Sequence, residues 1–297
     1  MNQHRFELSP ARRLWGHIED GHIIAAPGAY DSLSARLVEQ AGFDAVYLTG
    51  LGATASRLGA PDLGLLSQTE MTEHARNMTR AVSIPVIADA DTGYGGPANI
   101  ERTIQEHVQS GAAAIHLEDQ ALPKRCGQLG GLRLVDAETH ARNLRCAIEA
   151  RGNADLLIIG RTDAIGPLGT AEAVRRASIY QEAGVDLVFV DGITKIREVE
   201  EVAAKVPGPK VVSIVDGNET TALTKRDLAD LGFSVVFYAV TALFTATQAV
   251  SDALAALAVN GSPGHGPTAA SYPEFAQVVG LPAFERLDHD YGIEGRK

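Results

Sequence analysis

Apolar and polar positions alternate along this chain in two periods. Short runs rich in Val, Ile, Leu and Ala recur at 22–26, 45–49, 85–89, 113–118, 156–161, 187–191, 210–214 and 235–238. Their length and β-branched content predict strands. Between them the apolar positions fall at helical spacing: Ile100, Ile104 and Val108 at i, i+4 and i+8; Val250, Leu254 and, one residue early, Leu257; and Leu144 and Ile148 within 136–151. Gly42, Gly111, Gly184 and Gly232 stand just before four of the runs, where a left-handed residue ends a helix and releases the next strand. Strands alternating with helices favour a parallel sheet. Eight such units in roughly 240 residues fit a closed (β/α)8 TIM-type barrel, which typically takes about 250. An open doubly wound sheet is the alternative, weakened because no GxGxxG turn follows the first run.

The pattern breaks at Gly261-Ser262-Pro263-Gly264-His265-Gly266-Pro267. The reading is therefore a barrel over 1–260 and a linker with a C-terminal helical extension over 261–297. Phe275, Val278, Val279, Leu281, Phe284 and Leu287 give that extension an apolar surface that needs cover, either from its own barrel or from a neighbouring subunit.

Of the 297 residues, 45% are hydrophobic, enough for a substantial core. No uninterrupted apolar run approaches the roughly 18 residues of a membrane span. Residues 1–7 lack a hydrophobic leader. The expectation is a soluble cytoplasmic protein with no membrane partner. Two cysteines, Cys126 and Cys146, make no disulfide framework and no zinc spacing. A formal charge of −11 with no basic run argues against nucleic acid. An anionic substrate would then need local cations, for which Lys124, Arg125 and Arg161 are the candidates.

Barrels of this type carry their chemistry at the C-terminal strand ends. Polar residues gather there: Tyr47 and Thr49, Asp89 and Asp91, His116 and Glu118, Arg161 and Asp163, Asp191, and Ser213. Period-two alternation puts the members of each pair on one face. Two neighbouring carboxylates, Asp89 and Asp91, suit a hard cation such as Mg²⁺, which takes one or two carboxylates and keeps several waters. Glu118 can hold the ion directly or through water, or pair with Arg161 or His116. After the fourth run, Pro123-Lys124-Arg125-Cys126-Gly127-Gln128 leads into Gly130-Gly131, a loop able to close over a substrate. Its two cations are expected to favour the Cys126 thiolate, a plausible acid/base. Gly50 and Leu51 can bring backbone N–H groups to an anion, or form a simple turn. Cys146 receives no role.

Taken together, Asp89-Ala90-Asp91-Thr92-Gly93-Tyr94-Gly95 and Lys124-Arg125-Cys126-Gly127 resemble the isocitrate lyase/phosphoenolpyruvate mutase superfamily. The segments 29–35, 47–50, 58–64, 116–120 and 161–164 support the likeness, which is nearest to the short bacterial lyases acting on methylisocitrate or 2,3-dimethylmalate and to carboxyvinyl-carboxyphosphonate phosphorylmutase. The resemblance implies a barrel whose last helix is exchanged between subunits, usually of a homotetramer. It implies Mg²⁺, with Mn²⁺ as a possible substitute, near Asp89, Asp91 and Glu118. A small 2-oxo or 2-hydroxy acid would lie against Tyr47, Thr49, Gly50, Leu51, Asp62, Gly127, Arg161, Asp191 and Ser213. Lys124 and Arg125 would stabilise an enolate-like fragment, and Cys126 would protonate it. Against the lyase pattern, Gln128 replaces a His, Asp191 and Asp216 replace Glu, Ser213 replaces an Asn and Phe244 replaces an Arg. Exchanging a guanidinium for a ring removes a carboxylate anchor and favours a smaller or more apolar substrate. The resulting expectation is a Mg²⁺-dependent carbon–carbon lyase cleaving a 2-alkylmalate or methylisocitrate type of 2-hydroxy acid. The alternatives are a C–P mutase, an oxaloacetate decarboxylase or hydrolase, and a non-enzymatic oxo-acid sensor.

Overall fold

The computed structural model describes residues 8–292. Residues 1–7, where no hydrophobic leader is expected, and the last five residues of the extension lie outside the described part. Eight parallel strands close into a barrel in chain order. They are β1 (Ile24–Ala29), β2 (Val46–Leu48), β3 (Val86–Asp89), β4 (Ala114–Glu118), β5 (Leu157–Thr162), β6 (Leu187–Val190), β7 (Lys210–Ile214) and β8 (Val235–Tyr238). The helices are α1 (Pro10–Glu19), α2 (Ser32–Gln40), α3 (Gly50–Leu58), α4 (Gln68–Ala81), α5 (Pro97–Ser110), α6 (Ala137–Arg151), α7 (Ile165–Leu168), α8 (Thr170–Glu182), α9 (Ile196–Lys205), α10 (Lys225–Asp230), α11 (Thr241–Asn260), α12 (Tyr272–Val278) and α13 (Leu281–Tyr291). All eight expected strands are present. The first runs further than its apolar pattern, through Pro27 and Gly28, because Gly28 lies so close to the Ala239 carbonyl that a Cβ would collide with it.

Alternate residues of each strand fill the interior in layers. Ile24, Ala45, Ala114, Leu157, Leu187, Val211 and Val235 lie low in the barrel, with Tyr47, Ile87, Ile159, Phe189 and Phe237 above them. The low end is closed by α1, whose Ala11, Leu14 and Ile18 are buried in the same cluster. Ser9 caps this helix and Pro10 starts it, a signal the sequence reading passed over. The opposite faces of the strands pack on the helical ring, where Ile100 and Ile104 of α5 and Leu144 of α6 are fully buried. Gly42, Gly111, Gly184 and Gly232 all adopt positive φ, from +81° to +99°, and release β2, β4, β6 and β8 as expected.

No residue of α11, α12 or α13 is buried. The helical spacing of Val250, Leu254 and Leu257 is borne out, but they stand 57%, 58% and 41% exposed. By length and composition α11 is also long and apolar enough to cross a membrane, although Thr, Ser, Gln and Asp252 interrupt its run. Downstream, α12 touches α2 of its own barrel, and Arg36 Nη1 donates to the Val278 carbonyl at 3.5 Å. Phe275, Phe284 and Leu287 remain exposed despite that contact.

Candidate active site

Strand alternation carries Thr49, Asp89, Glu118, Arg161, Asp191 and Val215 to the upper interior of the barrel, two residues beyond the core layer. Arg161 is the hub. Its Nη2 lies 2.6 Å from Asp191, 2.9 Å from Asp163 and 3.4 Å from Glu118, and its Nη1 4.0 Å from Asp89. Asp163 holds it as a fork, accepting from Nε at 3.1 Å and Nη2 at 2.9 Å through one oxygen. The guanidinium sits 5.4 Å over the Phe189 ring. Below it, Tyr47 stacks on Phe237 at 4.1 Å, and its hydroxyl bonds His116 Nε2 at 3.0 Å.

Asp89 and Asp91 do not project as one strand pair. The extended backbone ends at Asp89, and Asp91 turns to φ +48°, a left-handed conformation that Asp tolerates better than most residues. Its N–H donates to Asp89 Oδ1 at 2.9 Å, while its carboxylate meets Lys124 Nζ at 2.5 Å. The turn stays pinned to β4, since Glu118 N–H donates to the Asp91 carbonyl. Lys124 is buried between Asp91 and Asp62, 2.7 Å from the latter. Gly50 lets the first turn of α3 approach Asp89, for a Cβ there would lie 2.5 Å from Oδ2. Thr49 caps that helix, and its first N–H groups have no intrahelical acceptor.

The loop carries Cys126 over this floor. Lys124 is buried beneath the loop, while its neighbour Arg125 is exposed. Arg125 is exposed and lines an outer cleft with Gly131 and Arg133, so the expected role of Arg125 in stabilising an enolate is not supported by its position. Gly127 packs onto the cluster. A Cβ there would lie 2.6 Å from Asp191, 2.9 Å from Arg161 and 2.9 Å from Asp163. The space left inside is about 50 Å³, bounded by Tyr47, Thr49, Leu51, Asp62, Asp89, Cys126, Gly127, Gln128, Arg161, Phe189, Asp191, Ser213, Val215, Ala239 and Val240. That is room for a water or two, so a four-carbon acid reaches the site only when the loop opens.

Asp216 and Phe244 do not line this space. Asp216 accepts from the Thr241 hydroxyl at 2.7 Å, and Phe244 is 47% exposed on α11. Cys146 lies on α6, away from the cavity, with its Sγ 3.6 Å from the Pro97 carbonyl. Asp163, Gln120 and Asp119 are the residues the sequence reading left without a role. Asp119 Oδ2 accepts from Thr162, Arg176 and Tyr180 at 2.7–2.9 Å, and its Oδ1 accepts from Asp163 N–H at 3.0 Å. The sequence signal available was the run His116-Leu117-Glu118-Asp119-Gln120, in which only alternate residues face the interior.

Burial dominates the titration of the cluster. It pushes Asp91 up to about 6, helped by the charges of Asp89 and Asp62, and Asp163 up to about 6, helped by Asp191 and Asp119. Burial likewise raises Glu118 well above the carboxylate range. Although burial opposes its charge too, Asp89 is held down to about 2 by His116, Lys124, Arg161 and the Asp91 N–H. Burial takes His116 down to about 4, so it is neutral at neutral pH. The Cys126 thiol does not become the expected thiolate. Burial, helped by the charges of Asp191 and Asp62 and only partly offset by the Gln128 backbone bond and Arg161, pushes it up to about 11.

Asp62, Asp89, Asp91, Glu118, Asp163 and Asp191 are buried together, and the buried cations paired with them among the described residues are Lys124 and Arg161. Such an excess calls for protons or a cation. Glu118 Oε1 is buried without a hydrogen-bond partner, a free oxygen donor beside Asp89 and Asp91. Among the described residues no three His, Cys, Asp or Glu groups converge on one point. The set therefore fits Mg²⁺, which accepts one or two carboxylates and completes its shell with water, better than a cation needing an all-protein cage.

The phosphoenolpyruvate phosphomutase family matches residues 17–258. The 2,3-dimethylmalate lyase of Eubacterium barkeri is 37% identical over 285 residues, covering 96% of this chain and 99% of that protein. The structure of oxaloacetate acetylhydrolase with 3,3-difluorooxalacetate superposes at a TM-score of 0.91 with 32% identity, covering 97% of this chain and 98% of the other. Phosphonopyruvate hydrolase in complex with oxalate and Mg²⁺ matches at a TM-score of 0.86 with 30% identity, covering 96% and 99%.

Proposed function

The chain belongs to the phosphoenolpyruvate mutase/isocitrate lyase superfamily of enzymes, and from that premise we propose that it is a Mg²⁺-dependent carbon–carbon lyase cleaving a 2-hydroxy acid of the 2-alkylmalate or methylisocitrate type. The observation that carries this reading is a thiol, Cys126, on a loop closed over Arg161. Asp89 and Asp91, with Glu118 through water, are the residues that would hold Mg²⁺ or Mn²⁺, whose chemistry is to polarise the 2-oxy oxygen. Arg161 and the N–H groups of Gly50 and Leu51 bind the C1 carboxylate. Tyr47, fixed by His116, donates to the 2-oxy group. As the C2–C3 bond breaks, the hydroxyl proton passes to the Asp191 carboxylate, which lines the cavity beside Arg161, C2 becomes a carbonyl and the electron pair passes to C3. Lys124, whose Nζ is paired with Asp62 and Asp91 beneath the loop, lends its charge to the resulting carboxylate enolate, and Cys126 Sγ–H supplies its proton. Closure of the loop keeps bulk water from that carbanion.

Among the described residues Arg161 is the single cation lining the cavity, and its β7–β8 wall is Ser213, Val215, Ala239 and Val240. A third carboxylate would meet no counter-charge there. This supports alkylmalates over tricarboxylates. The test is a panel of alkylmalates, methylisocitrate and oxaloacetate, with 2-oxo acid release coupled to a dehydrogenase. Alkylmalates are expected to turn over fastest, EDTA to stop turnover, and added Mg²⁺ or Mn²⁺ to restore it. Turnover that is indifferent to EDTA would sink the metal assignment. A second reading, hydrolysis of oxaloacetate, is favoured by the superposition at a TM-score of 0.91 on a structure that holds 3,3-difluorooxalacetate. Its signature is oxalate and acetate from oxaloacetate, with no 2-oxo acid from any alkylmalate.

The uncovered faces of α11, α12 and α13 support a homotetramer in which the C-terminal helical extension, divided from the barrel at Gly261, is exchanged between subunits. A groove of about 670 Å³ runs between α2 and α11, lined by apolar groups that include Pro27, Leu37, Phe43, Tyr238 and Ala242. Sedimentation equilibrium of the full chain is expected to give the tetramer mass. A monomer at the concentrations used for activity would overturn the assignment.

A further inference from the structure

We propose that Gln120 is the latch holding the Cys126 loop shut, a positioning residue that ties the loop backbone to the carboxylate gripping Arg161. Gln120 lies just beyond β4 and is 3% exposed. Its side-chain amide pairs with both backbone groups of Arg125, as a neighbouring strand would: Oε1 accepts from Arg125 N–H at 2.9 Å, and Nε2 donates to the Arg125 carbonyl at 2.7 Å. Nε2 also donates to Asp163 Oδ2 at 2.8 Å. The other oxygen of Asp163 is the one that forks Arg161. Both amide hydrogens are therefore used, one for the loop and one for the anchor.

Gln120 itself is fixed. Its backbone bridges Leu134 on the far side of the loop, and the preceding residue, Asp119, is held by four hydrogen bonds to β5 and α8. The loop's other ties over the site are Cys126 N–H to the Asp62 carbonyl at 3.0 Å, the Lys124 ion pairs, and the seat of Gly127 against Arg161. Substrate access requires the loop to lift, and a lifting loop must part from an anchored Gln120. Re-forming the Arg125 pair then returns Cys126 to its place above a guanidinium aligned through the same amide. A glutamate could accept from Arg125 N–H but could not donate to the carbonyl or to Asp163.

The readout is Cys126 reactivity, which needs neither substrate nor metal. In a Cys146→Ser background Cys126 is the remaining thiol, and its alkylation by iodoacetamide is followed on the full chain at one fixed pH. Gln120→Ala is expected to raise that rate about tenfold, the loss of two or so net hydrogen bonds from the closed state, with little change in the unfolding midpoint. Its kcat is expected to fall more than its KM rises, because delivery of Cys126 suffers before binding of the carboxylate. Gln120→Met, of similar volume and without hydrogen bonds, carries the same test if the alanine variant does not fold. Alkylation indistinguishable from the parent in the folded variant overturns the latch, whatever the turnover. Faster alkylation with no lyase turnover on any substrate leaves the latch standing and overturns the lyase reading instead.

Discussion

Cys126→Ser is expected to lower kcat about 10²–10⁴-fold, the usual worth of a positioned general acid, while folding stays intact. The exchange keeps a small polar group in the same half-buried place but substitutes a far weaker acid. Because burial pushes the thiol up to about 11, the proton is present throughout the neutral range. The sign of the pH dependence follows. The competent form is the protonated one, so the loss of cleavage due to Cys126 sets in only as pH rises toward 11, well above the usual thiol range near 8.5. Steady-state turnover of the parent and variant across that range decides the matter, and a serine variant with full turnover removes Cys126 from the mechanism.

Arg161→Met is expected to cost about 3–5 kcal/mol of stability, besides removing the carboxylate anchor, because it strands buried charges rather than deleting a pair. Asp89, Glu118, Asp163 and Asp191 all lie within 4.0 Å of the guanidinium. Glu118 and Asp163 are already raised by burial with Arg161 in place, and without it their charged forms lose their main compensation. A carboxyl raised in the fold disfavours the folded state above its unfolded value, so the variant should recover stability as pH falls, starting above the parent's Asp163 value of about 6 and continuing to the ordinary carboxylate range. Denaturant midpoints of the two proteins at neutral and mildly acid pH measure this. Equal midpoints at neutral pH would falsify the hub role of Arg161.

The strands and the helix-ending glycines were legible because both are local. A buried run of Val, Ile and Ala is a strand whatever surrounds it, and Gly111 needs only its own freedom at φ +84°. Alternation alone put Tyr47, His116, Glu118, Arg161 and Asp191 inside the barrel. Where the backbone left the strand, that rule failed. Asp91 is aimed by a left-handed turn and not by the pleat, and in the loop after β4 Lys124 is buried while Arg125 faces an outer cleft. The acidity of Cys126 was misread for a related reason. Two cations beside it in the chain suggested a thiolate, but one faces solvent, the other is held by Asp62 and Asp91, and burial governs the thiol.

Local patterning by itself determined an eight-stranded parallel barrel and the rim on which its chemistry collects, since hydrophobic period and turn residues act over a few positions. Which of those polar groups meet was decided only when β3, β4, β5 and the loop after β4 came together. Asp163 apart, the partners of Arg161 lie dozens of positions from it, and charge, burial and hydrogen-bond geometry there depend on distances that no linear spacing encodes.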